Sequence, residues 1–244
     1  MTPEQIEAGS AVSVAVLGAG SWGTTFAKIL ADAAAASGVQ RSVRLWGRRA
    51  EVVEQINTAH RNPQYLKDVE LPHSITASTD VAEVLAGADL VVLAVPAQTL
   101  RLQLREWRHL MSADALVVSL MKGLELTSDA RMSEVICEEL GIKADRVAVV
   151  SGPNLAMEIA REEPTASVVA CSDAEVAAWI ARSCTAPYFR PYTTTDVVGV
   201  EIGGIVKNVI ALAVGICEGK EMGDNTKASV IHPGACRDLA PGAG

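Results

Sequence analysis

Val14-Ala15-Val16-Leu17-Gly18-Ala19-Gly20-Ser21-Trp22-Gly23-Thr24-Thr25 is the stretch from which the fold follows. A short apolar run ends in Gly-x-Gly-x-x-Gly, and the residues after it are helical in composition. Gly18 permits a tight turn at the strand's end, Gly20 lets the backbone approach a pyrophosphate, and Gly23 lets helix and strand pack closely. N–H groups at the helix N-terminus then face the negative charge. A lone Gly-x-Gly-x-x-Gly also fits a plain turn. Its place between an apolar run and a helix is what points to a dinucleotide.

Outward from this stretch, residues 12–17 read as a buried strand and 21–36 as a helix stopped by Gly38. Val43-Arg44-Leu45-Trp46 is a second strand, ending in Gly47-Arg48-Arg49. An acid often stands at this strand's end to hold the ribose 2′-hydroxyl. Two arginines stand here instead. They suit a 2′-phosphate or an adenine face, and equally a solvated pair opening the next helix. Residues 50–60 and 80–87 read as short helices, with a loop at 62–66 between them. Residues 88–96 form a continuous apolar strand stopped by Pro96, and 116–120 and 147–150 are further strands. These two run into Met121-Lys122-Gly123 and Ser151-Gly152-Pro153-Asn154. Unbroken apolar strands are buried on both faces, as in the middle of a parallel sheet.

Alternating strands and helices give the fold class α/β, a doubly wound, Rossmann-like parallel sheet. Ligands of such sheets bind beyond the strands' C-terminal ends, which places Gly18, Lys122 and Gly152 along one crevice. The apolar segment 165–170, a helix near 173–184 and an extended edge at 188–195 complete a dinucleotide-binding domain over residues 1–197. From Val198 a long, mostly apolar helix begins, so residues 198–244 read as the start of an all-α C-terminal domain.

The chain has 244 residues, 49% hydrophobic and 20% charged, which suits a soluble globular protein. A net charge of −8 without a basic run argues against nucleic acid or an acidic membrane surface as partner. The first ten residues are acidic and polar, so no signal peptide is expected. No uninterrupted apolar run approaches the roughly twenty residues of a membrane span, so no integral membrane segment is expected. Five widely spaced cysteines (Cys137, Cys171, Cys184, Cys217, Cys236) favour free thiols in a reducing cytoplasm over disulfides or zinc. The four histidines are scattered on expected surface or loop positions, and no metal site is expected.

Two lysines stand out for chemistry. Lys207 interrupts an apolar helix, with Ile205-Val206 before it and Val209-Ile210 after Asn208. A desolvated ammonium has a lowered pKa and can act as general acid or base near neutral pH. Gly203 and Gly204 would let a ligand approach it; the alternative is a lysine snorkelling from the helix flank. Lys122, at a strand's end, suits a phosphate or a developing alkoxide, or simply water.

These motifs occur together and in order. Gly18 to Thr24, Trp46-Gly47, Asn62-Pro63 with Tyr65-Leu66, Val95-Pro96, Lys122-Gly123, Ser151-Gly152-Pro153, Gly203-Gly204-x-x-Lys207-Asn208 and Asn225-x-Lys227-Ala228 closely resemble the bacterial NAD(P)-dependent glycerol-3-phosphate dehydrogenases, from about residue 12 to Ile231. The resemblance implies hydride transfer between NAD(P)H and C2 of dihydroxyacetone phosphate or sn-glycerol 3-phosphate, feeding phospholipid synthesis in the cytoplasm. It implies Lys207 as the proton donor and acceptor, with Asn208 beside it in the substrate pocket. Lys122 would serve cofactor and substrate, Gly152 and Asn154 the substrate, and Ala156 the cofactor. Asn154 departs from the Ser or Thr common at its position. Gly18, Gly20, Ser21, Trp22, Gly23, Arg48 and Arg49 would bind NADP or NAD.

The likeness is expected to end after Ile231. The thirteen residues from His232 to Gly244 read as a frameshift product, because the codons permit Thr-Arg-Gly-Leu-Ala-Glu in the next frame. On that reading the chain lacks part of its substrate site, binds dinucleotide and turns over little, and an uncovered apolar helix favours a homodimer. A non-enzymatic dinucleotide-binding remnant and a β-hydroxyacid-type dehydrogenase are the alternatives.

Overall fold

A computed structural model describes residues 12–237. Residues 238–244 of the expected frameshifted tail, like the N-terminal decapeptide, lie outside the described residues. The first crossover is β1 (Val12–Leu17), α1 (Ser21–Ser37) and β2 (Arg41–Trp46), followed by α2 (Ala50–Ala59). Then come β3 (Arg61–Asn62), β4 (Leu66–Glu70), β5 (Ile75–Ser78), α3 (Val81–Leu85), β6 (Leu90–Leu93), α4 (Leu100–Trp107) and β7 (Leu116–Ser119). The chain continues through α5 (Met132–Leu140), β8 (Val147–Ser151), α6 (Ala156–Ala160), β9 (Thr165–Ala170), α7 (Ala174–Ser183), β10 (Phe189–Thr194), α8 (Val197–Gly219) and α9 (Asp224–Arg237).

Eight strands form one sheet in the order β10-β9-β8-β7-β6-β1-β2-β5, parallel except where β9 runs antiparallel to β8. The apolar strands alternate between two cores, as a period of two requires. Val14, Val16, Leu90, Val92, Leu116 and Val118 face the layer containing Phe26, Ile29 and Leu30 of α1. Ala15, Leu17, Val91, Leu93 and Val117 face Leu100 and Leu104 of α4 and Val135 and Ile136 of α5. Helices on both faces explain why these strands read as continuous apolar runs.

Two regions differ from expectation. Residues 62–66 are not a plain loop: Asn62 and Leu66 pair across an antiparallel β3–β4 hairpin. The edge strand β5 was also not foreseen, since Ile-Thr-Ala-Ser offers one large apolar residue.

The chain divides into two compact units, Met1–Glu201 and Ile202–Gly244. Helix α8 crosses that division. It has 23 residues and a window of mean hydropathy 1.9, long and apolar enough by length and composition to cross a membrane. The expectation of no such segment counted only uninterrupted runs, and Glu201, Lys207, Asn208 and Glu218 interrupt this one.

Candidate functional site

A pocket of about 670 Å³ opens at the C-terminal ends of β1, β2 and β6, with Gly18, Ala19 and Gly20 in its lining. This is the topological switch point of the sheet, where β1 has β2 on one side and β6 on the other. The volume lies within the range of small-molecule sites. Gly18 sits at φ +127°, and a Cβ there would fall on the Ala94 carbonyl. A Cβ on Gly23 would collide with the Gly18 carbonyl, so helix and turn pack as closely as the motif requires. Gly20 is different: a Cβ there meets nothing within 4 Å, so its bareness leaves room on the pocket side. Gly20 is the N-cap of α1 and no side chain caps that helix. The N-cap Gly20 thus brings the start of α1 to the pocket, and a helix N-terminus is where backbone donors suit a pyrophosphate.

Arg48 and Arg49 line the same pocket from the end of β2. Arg49 Nη2 donates to Tyr65 Oη at 2.9 Å, and its guanidinium lies 5.3 Å from the Tyr65 ring centroid. Tyr65, Ala94, Val95 and Pro96 complete the walls. The sequence signal for the last three was an apolar strand halted by proline. Tyr65 carried no local signal beyond its place in the family-like motif.

Lys122 and Gly152 do not line this pocket. Their strands β7 and β8 are the second and third neighbours of β1 along the same sheet edge, ~10 and ~15 Å away at ordinary strand spacing. They meet each other: Lys122 Nζ donates to the Gly152 carbonyl at 3.0 Å. That carbonyl also accepts from Asn154 N at 2.8 Å. Asn154 Nδ2 donates to Ser167 Oγ at 3.2 Å, which fixes the turn to β9. The candidates expected along one crevice thus form two groups at one sheet edge, the switch-point pocket and the Lys122–Gly152–Asn154 group.

The remaining candidates lie apart from the pocket lining. Ser21 opens α1, and Trp22 packs edge-on against Phe26 with ring centroids 5.6 Å apart. The Ala156 carbonyl accepts from Thr25 Oγ1 at 3.1 Å, which ties α6 to α1. Lys207 and Asn208 are both exposed on α8, in the second unit. This is the setting of the snorkelling alternative for Lys207, on a helix expected to be uncovered. Its apolar neighbours are not a buried face here, since Val209 and Leu212 are each 66% exposed.

Cys137, Cys171, Cys184 and Cys217 are free thiols. Burial pushes the Cys184 thiol up to about 12 and Cys171 to about 11, so neither is a nucleophile at neutral pH.

With this geometry in view, the matches to known proteins are specific. The model described as NAD-dependent glycerol-3-phosphate dehydrogenase N-terminus matches residues 13–177. Its C-terminal counterpart matches residues 196–236, reaching past Ile231. The chain belongs to the NAD-dependent glycerol-3-phosphate dehydrogenase family. It is 57% identical over 221 residues to glycerol-3-phosphate dehydrogenase [NAD(P)+] of Thermobifida fusca, covering 91% of this chain and 64% of that protein. Among solved structures, the Plasmodium falciparum glycerol-3-phosphate dehydrogenase superposes with a TM-score of 0.84 at 31% identity, over 95% of this chain and 65% of that one. The Coxiella burnetii enzyme gives 0.80 at 33% identity, over 92% and 66%. The chain spans about 64–65% of the length of curated relatives that it matches.

Proposed function

We propose that this chain binds NADP or NAD at the glycine-rich turn and takes part in the interconversion of dihydroxyacetone phosphate and sn-glycerol 3-phosphate. The observation that carries this reading is the open N-terminus of α1 at the switch-point pocket, flanked by two arginines. The bare Gly20 and the uncapped helix suit a pyrophosphate, and Arg48 and Arg49 suit the adenosine end with or without a 2′-phosphate. When bound, the nicotinamide supplies or accepts the hydride at C2. Lys122, with Gly152 and Asn154, orients the small phosphate substrate and places a fixed cation beside the C2 oxygen. Lys207 moves the proton on and off that oxygen, with Asn208 beside it, and residues 198–244 begin the helical domain that carries both.

NADPH and NADH oxidation by the purified chain with dihydroxyacetone phosphate tests the reading, alongside direct titration with each dinucleotide. Turnover lost on Lys207→Ala supports the role of that lysine. A second reading, binding without turnover, is favoured by the exposure of Lys207. Dinucleotide binding with no oxidation would select it. The free thiols support a reducing, cytoplasmic setting. Val209, Leu212 and Ile216, exposed at helical spacing, support self-association into a homodimer.

A further inference from the structure

Asn62 is fully buried, yet it lies in the hairpin and not in the glycine-rich motif. Its Nδ2 donates to the Ala19 carbonyl at 3.1 Å and to Thr24 Oγ1 at 2.9 Å. The carbonyl can only accept, so the amide nitrogen must face it. Ala19 lies inside the Gly18–Gly23 turn and Thr24 in the first turn of α1, so one amide spans both. Asn62 is held in its turn by Tyr65 N, which donates to the Asn62 carbonyl at 3.0 Å across Pro63 and Gln64. Pro63 pre-sets that turn. The same turn therefore carries the Tyr65 hydroxyl that orients Arg49.

A trans peptide points its C=O and N–H in opposite directions, and no peptide bond described here is cis. With the Ala19 carbonyl drawn inward to Asn62, the Gly20 N–H is turned the other way, on the side where Gly20 lines the pocket. We propose that Asn62 is a positioning residue of the dinucleotide site, locking the Ala19–Gly20 peptide with its N–H toward the phosphates. Left to itself a glycine-flanked peptide can flip, because glycine accepts both signs of φ. Asn62 removes that freedom before the ligand arrives, so preorganisation is its contribution. The proposal rests on the dinucleotide reading of the pocket.

The test is titration of the full 244-residue chain with NADPH, with the Gly20 amide resonance followed by NMR. Wild type should bind, and the Gly20 amide should move on saturation. Asn62→Asp keeps the shape, loses both donors and sets a carboxylate against the Ala19 carbonyl. Binding should weaken about tenfold or more, with the Gly20 shift lost. Should that variant not fold, Thr24→Val removes one acceptor at constant volume, and binding should weaken about threefold. A folded Asn62→Asp, or in its absence Thr24→Val, that binds NADPH as wild type with the Gly20 shift intact overturns the proposal. Wild type that binds neither NADPH nor NADH overturns the dinucleotide reading, and the proposal with it.

Discussion

At the end of β2, Arg48 and Arg49 are not equivalent, although the sequence presents them as a pair. Arg49 is stacked and hydrogen-bonded against Tyr65, whereas Arg48 is exposed at the pocket wall. A guanidinium forms charge-assisted, bidentate bonds to a phosphate, worth ~1.5–3 kcal/mol, but gains little from a ribose hydroxyl. Arg48→Ala should therefore weaken NADPH by about tenfold or more while NADH changes far less. Parallel calorimetric titrations measure that ratio, and equal losses for both would remove Arg48 from the 2′-phosphate. Gly18 makes the opposite kind of demand, one of space. Alanine at φ +127° is strained by ~1–2 kcal/mol and would press on the Ala94 carbonyl as well. Gly18→Ala should lower unfolding free energy by ~2 kcal/mol or more in urea and abolish NADPH binding. A variant of unchanged midpoint and affinity would show that the turn tolerates a side chain.

Between elements, carboxylates do the fastening. Glu201, in the first turns of α8, is 5% exposed at its side chain and accepts from three donors of α5's N-terminal end. Arg131 Nη1 lies at 2.7 Å, Ser133 Oγ at 2.6 Å and Ser133 N at 3.0 Å. Deleting one member of a buried ion pair strands the other, at ~3–5 kcal/mol. Glu201→Ala should destabilise the chain by about that amount in urea, while exposed Glu221→Ala should change it by less than ~0.5 kcal/mol. Glu125 makes a second fastening near Lys122. Arg101 binds it through Nε and Nη2, each at 2.8 Å, and Ser128 Oγ adds a bond of 2.6 Å. Those bonds hold its carboxyl down to about 2, against 4.5 for an ordinary glutamate. A depressed folded pKa means stability present above the unfolded value and lost as pH falls toward the folded one. Unfolding free energy should thus hold from pH 7 to 5 and drop between about 4.5 and 2. Glu125→Gln should flatten part of that fall in a series of urea melts, and an unchanged slope would mean the acid lability lies elsewhere.

At the scale of the whole molecule, what could be read from sequence was what burial on two faces dictates. Val14–Leu17, Leu90–Leu93, Leu116–Val118 and Val147–Val150 are apolar throughout because helices cover both sides of the sheet. The β3–β4 hairpin and β5 escaped because they are short and charged or polar, with Lys67, Asp68 and Glu70 facing water. With the hairpin went Asn62 and Tyr65, whose importance lies in partners thirty-eight and sixteen positions away in sequence. The setting of Lys207 on α8 stayed open for the reverse reason: an apolar helix has one composition whether or not anything covers it. Only 11% of its most apolar window is buried, so Ile205 to Gly219 lack the contacts that stabilise the sheet. Amide protection follows buried apolar contact and the cooperativity it gives. Native-state hydrogen exchange should therefore show β1, β6 and β7 opening only with global unfolding. The amides of residues 205–219 should exchange at least ~100-fold faster, a gap of ~2.7 kcal/mol in opening free energy. Uniform protection across both segments would mean that α8 is buried in solution, and Lys207 with it. Lys207 would then regain the desolvated setting that general acid–base work near neutral pH requires.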